Sequence, residues 1–109
     1  HSCGQVSKII DDLRRMGVDA IWPQLAVYDL KQLADHCRDI GLAAALHIDR
    51  AKVMTNGTPD IVRETVGELV EAFKVRDGGS WFYIEIDNGF PYENIEALVK
   101  AVKPYTRTK

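Results

Sequence analysis

Four short stretches of this 109-residue chain gather side chains that can do chemistry. His1 and Cys3 stand two residues apart. Alternate side chains of an extended segment share a face, so this imidazole and thiolate can bind one metal. Zinc takes nitrogen and sulfur donors, and catalytic zinc keeps three protein ligands and one open position. Trp22 and Gln24 flank a proline that stops an apolar run. His47, Asp49 and Arg50 follow a second run, and the guanidinium offers a bidentate fork to an anionic substrate. Alone, His47 is better explained as a hydrogen-bonded core residue than as a ligand. Glu85 and Asp87 share a parity on a third run, so one cannot face a site without the other. Their plainer account is two acids capping a turn.

The elements that must position these residues are legible from hydrophobic periodicity. Residues 5–16 predict a helix with Ile9, Ile10, Leu13 and Met16 on one stripe, closed by Gly17. Residues 18–22 then read as a short strand. Residues 28–40 predict a second helix that buries Leu30, Leu33, Ala34, Cys37 and Ile40, with Cys37 a core thiol. Residues 42–48 are almost continuously apolar, as expected of a strand covered on both faces. Thr58 as cap and Pro59 at the first helical position open a third helix, whose stripe is Val62, Val66, Leu69, Val70 and Phe73. The same segment can bind an anion, but capping explains it. Residues 81–86 predict a strand, with Trp81, Phe82 and Tyr83 mostly in the core and one ring free to line a pocket. Pro91 starts the last helix, with Ile95, Leu98, Val99 and Val102 on its inner face.

The order α-β-α-β-α-β-α implies right-handed crossovers and a parallel sheet, with ligands at the carboxyl ends of the strands. Three of the four chemical stretches fall at such ends, and His1 and Cys3 would end a strand whose body lies upstream of the chain. Three strands cannot close a barrel, so the chain is either a small open sheet or the trailing part of something larger. A start at His1 without an initiator methionine favours a piece of a longer reading frame.

Composition excludes several classes. Apolar residues are 46% and charged residues 28%, as in an ordinary single globular domain. Sixteen acids and fourteen bases give a net charge of −2, so neither nucleic acid nor an anionic membrane is an expected partner. No apolar run approaches the ~20 residues that span a bilayer. Two cysteines make no disulfide framework, and a reducing cytoplasm is the expected setting.

Four segments together resemble the C-terminal portion of the uroporphyrinogen decarboxylase superfamily, a (β/α)8 barrel. They are His1-Ser2-Cys3-Gly4, Gly17-Val18-Asp19-Ala20-Ile21, Gly57-Thr58-Pro59, and Pro91-Tyr92-Glu93-Asn94-Ile95 with the helix it opens. The resemblance spans nearly the whole chain, residues 1–109 as one partial domain of three strands and four helices. It implies the zinc-dependent methyltransferase branch, in which His-x-Cys-Gly supplies two zinc ligands, matching His1 and Cys3. The third ligand of that branch is a cysteine after the last strand; Asp87 aligns there, with Glu85 as the nearby alternative. The decarboxylase branch has Gly-His-Gly at this place, where this chain has Ile86-Asp87-Asn88.

The implied activity is zinc-assisted methyl transfer between a small-molecule methyl donor or acceptor and a corrinoid. A partner protein would carry the corrinoid, since no Asp-x-His-x-x-Gly cobalamin motif occurs here. In this reading His47 and Asp49 are the catalytic candidates, and Trp22, Gln24 and Arg50 bind substrate. Two alternatives remain open at this point: a decarboxylase-like lyase of porphyrin metabolism, and a non-catalytic half-barrel. The half-barrel would self-associate, or join its missing half, to cover open strand edges.

Overall fold

The computed structural model describes residues 6–105, so His1 and Cys3 lie outside the described residues. The fold is α/β. Helices α1 (Ile10–Arg15), α2 (Leu30–Asp39), α3 (Pro59–Phe73) and α4 (Tyr92–Val102) alternate with strands β1 (Ala20–Ile21), β2 (Ala43–Leu46) and β3 (Ser80–Phe82). The strands pair in parallel in the order β1-β2-β3. The expected alternation and parallel sheet are both present. No helix among the described residues is long and apolar enough to cross a membrane.

Register fixes which side chains share a face. Ile21 pairs with Ala44, Ala44 with Ser80, and Leu46 with Phe82. On this face Ala44, Leu46 and Ile48 join one core cluster with Ile10, Leu33, Cys37, Val66 and Leu98, so all four helices contribute to it. The other parity carries Ala20, Ala43, Ala45 and Trp81. Ala45 is buried yet stands outside that cluster. The molecule is 20 Å through its thinnest axis, the depth of one helix layer on one sheet. Helix coverage is therefore one-sided, yet β2 is buried on both parities, as its near-continuous apolar run implies. Register sets Trp81 beside Ala45, so a neighbouring side chain stands where a second layer would.

The same parity corrects the placement of the late aromatics. Trp81 and Tyr83 are 47% and 43% exposed because they point to the face without helices, while Phe82 packs against the core. Strand β3 is shorter than the expected 81–86, although the Tyr83 N–H still donates to the Leu46 carbonyl at 2.7 Å.

Helix ends follow local chemistry. Helix α1 is shorter than predicted, since residues 7–9 form a 3-10 turn with no capping side chain. At its far end Gly17 adopts φ +100°, its N–H donates to the Arg14 carbonyl, and that of Val18 to the Leu13 carbonyl. This left-handed closure reverses the chain. It leaves Met16 80% exposed rather than on the buried stripe. Asp29 caps α2 by accepting from the Gln32 N–H, and Thr58 caps α3 by accepting from the Ile61 N–H.

Helix α4 is rotated from its predicted face. Asn94, Ala97, Leu98 and Val102 are buried, and Val99 is exposed. Asn94 is 0% exposed, and its Nδ2 donates to the carbonyls of Met54 and Gly57, both at 3.0 Å. It thus ties the start of α4 to the chain entering α3. Gly57 sits so close to the preceding turn that a Cβ would lie 2.4 Å from the Val53 carbonyl oxygen. Asn94→Ala strands one buried and one partly buried carbonyl and is expected to cost about 2–4 kcal/mol in urea unfolding. Asn94→Asp, which has no N–H to donate, should do no better.

Candidate functional site

At the carboxyl ends of the strands, the chain brings together Trp22, His47 and Tyr83. Each continues the open-face parity: Trp22 beyond Ala20, His47 beyond Ala45, Tyr83 beyond Trp81. The Trp22 Nε1–H donates to His47 Nδ1 at 3.0 Å. The Trp22 and Tyr83 rings lie 4.5 Å apart between centroids, and Trp22 meets the His47 ring edge-on at 5.9 Å. Sequence reasoning groups Tyr83 with Trp81 and Phe82 as mostly core, with one of the three rings free to line a pocket, and does not single it out. Its signal was available, since Tyr83 shares a parity with Glu85.

Burial lowers the His47 pKa from 6.5. The carboxylates of Glu85 and Asp49 pull it back up, and Arg50 pushes it down. Desolvation dominates, so the ring stays neutral further into acid than a free histidine does. The indole contact acts in the same direction, because an N–H donor requires a lone pair on Nδ1.

The segment after β2 was unassigned in the sequence. It forms a π-helical turn, Arg50–Thr55, in which the N–H groups of Met54 and Asn56 reach back five residues to the carbonyls of Asp49 and Ala51. Single π turns are frequent at functional sites. Asp49 opens this turn, its Oδ1 accepting from the N–H groups of Ala51 and Lys52 at 2.9 and 2.7 Å. The same carboxylate acts on His47 through its charge. Arg50 forms an ion pair with Asp87. That pair lines an open groove of about 580 Å³ with Ala51, Thr55, Asn88 and Phe90.

The predicted site residues thus fall into two neighbouring sets. Trp22, His47 and Tyr83 touch one another, with Glu85 and Asp49 in the field of the imidazole. Arg50 and Asp87 pair beside them. Gln24 precedes a 3-10 turn, Leu25–Val27, and its carbonyl accepts from the Val27 N–H. Glu85 makes no ion pair among the described residues, which distinguishes it from Asp87. Those residues contain no group of three or more His, Cys, Asp or Glu able to hold a metal. At the opposite ends of β2 and β3, a cavity of about 200 Å³ includes Cys37. Burial pushes that thiol up to about 11, so it is a packing residue, as the sequence implied.

Compared with family models, with curated proteins and with solved structures, the chain matches none. The fold and site define its class: a two-layer parallel α/β chain with an aromatic–imidazole cluster at its strand ends.

The pH dependence has a definite sign. The unfolded chain takes up the His47 proton near 6.5, before the folded chain does. The His47 contribution to stability is therefore constant above that pH. It falls as pH drops from about 6.5 toward the lowered midpoint. An NMR titration of the ring is expected to give a midpoint below 6.5, rising toward that value in Trp22→Phe. A midpoint at or above 6.5 in the unaltered chain would refute the assignment.

Proposed function

We propose that the chain is the C-terminal part of a (β/α)8 barrel of the uroporphyrinogen decarboxylase superfamily. In this reading it acts in zinc-assisted methyl transfer between a methylated substrate or thiol and a corrinoid protein, in the cytoplasm. The observation that carries the reading is the row Trp22, His47 and Tyr83, with Glu85 beyond it. That row stands at the carboxyl ends of sequentially ordered parallel strands, on the face that bears no helix. Barrel enzymes build their sites there. Doubly wound sheets instead carry helices on both faces. The bond from Asn94 to the Gly57 carbonyl adds support, because it joins two segments on which the resemblance rests.

Imidazole, thiolate and carboxylate are all zinc donors, so the available set fits the metal by its chemistry. His1 and Cys3 would hold it with Glu85, the late carboxylate that no guanidinium engages among the described residues; Asp87 is the alternative. Bound by these residues, zinc would supply a Lewis acid that favours the thiolate form of an acceptor thiol. The Trp22 and Tyr83 rings supply an apolar wall. Neutral His47 adds a polar contact without adding charge. The Arg50–Asp87 pair steadies the π turn beside the strand that bears His47. Elemental analysis of the zinc-exposed chain should give one zinc per chain, reduced at least tenfold by Cys3→Ala and by Glu85→Ala. A folded sample without zinc overturns the metal site.

A half-barrel that associates is a second reading, favoured by a specific surface. Trp81, Tyr83, Ile84 and Ile86 are all exposed, and among the described residues β1 and β3 have no outer neighbours. Unpaired strand edges and uncovered apolar faces recruit partners. Light scattering at micromolar concentration is expected to report a dimer or larger species. A clean monomer excludes this reading.

A further inference from the structure

The hydrogen bond between Trp22 and His47 decides more than the position of a ring. An indole N–H donates and cannot accept. The Nδ1 that faces it at 3.0 Å therefore carries a lone pair and no proton. An imidazolium has protons on both nitrogens and cannot make this contact. The neutral ring that can make it bears its proton on Nε2. Among the described residues, none accepts from that Nε2–H. A nitrogen holding a proton has no lone pair for a metal, so this tautomer donates hydrogen bonds and does not ligate.

The surroundings narrow the acceptor. Two carboxylates, Glu85 and Asp49, act on the ring against one guanidinium, Arg50, which is itself paired with Asp87. A carboxylate or phosphate ligand would add a further negative charge to a half-buried site already rich in it. An uncharged oxygen meets no such penalty, and the Trp22 and Tyr83 rings offer it an apolar wall. Burial of His47 also favours the neutral ring.

We propose that His47 is a fixed hydrogen-bond donor, through Nε2–H, to an uncharged carbonyl-type oxygen of the ligand at these strand ends. Trp22 is the positioning residue that holds this tautomer. The inference rests on the reading of this face as the binding site; it shares Glu85 with the zinc site only through that carboxylate's charge on the ring, and a chain free of zinc leaves it intact.

Long-range proton–nitrogen NMR on the whole chain, with labelled histidine and above pH 7, reads which nitrogen carries the proton. The expected result is His47 protonated at Nε2 alone, with both tautomers populated in Trp22→Phe. N-methylacetamide should shift the Nε2–H resonance at least twofold more than acetate at equal concentration. Added zinc should leave that nitrogen protonated. A proton on Nδ1 in the unaltered chain overturns the proposal without recourse to any variant. So does displacement of the Nε2 proton by zinc. An acetate effect equal to that of the amide, or no effect of the amide, overturns it as well.

Discussion

Every feature of the candidate site depends on a single geometric constraint: in a parallel sheet, residues paired in register send their side chains to the same side. Right-handed crossovers between consecutive strands deliver each helix to one side of that sheet. The apolar parity of β2, Ala44 and Leu46, is therefore consumed by α1 to α4. The other parity is left to small alanines along β1 and β2, to Trp81 on β3, and to Trp22, His47 and Tyr83 at the strand ends. Alanines at positions 43 and 45 keep this face low. The rings beyond them converge across three strands, and the indole reaches the imidazole across the top of β2.

A second tie holds the rim in place. Asn94, on α4, reaches across to the carbonyls of Met54 and Gly57, in the segment that carries Asp49 and Arg50 out of β2. An amide that bridges a buried and a partly buried carbonyl fixes orientation better than an apolar contact of equal area, because hydrogen bonds are directional and costly to leave unmade. Asp49 then organises the first turn of the π segment through two backbone N–H groups, and Arg50 engages Asp87 across the gap to the chain beyond β3. The charged residues at the rim are thus structural partners as well as candidate ligands of a substrate. Glu85 is the exception.

Periodicity and capping chemistry made much of this visible in advance. The Thr58 cap, the buried stripe Val62, Val66, Leu69 and Phe73, and the Cys37 thiol all stand as the residue types imply. Stop signals did less well where two forces compete. Met16 fits the α1 stripe by spacing, but the left-handed turn at Gly17 ends the helix before that position can bury. Val99 fits the α4 stripe by hydrophobicity, yet Asn94 rotates the helix by pulling a polar residue inward. Trp81 and Tyr83 are the kind of residue that cores take, and their exposure follows from parity alone.

Local order determined the element types, the parallel sheet and the strand ends at which Trp22, His47, Asp49, Arg50, Glu85 and Asp87 gather, because helix and strand periods and caps are properties of neighbouring residues. The partner of each rim side chain was decided in three dimensions. Spacing along the chain does not reveal that an indole 25 positions away faces Nδ1 of His47, nor that Asp87, rather than Glu85, turns to Arg50. Those choices rest on register between strands and on which face the helices cover. Both are set by long-range packing, which no window of sequence contains.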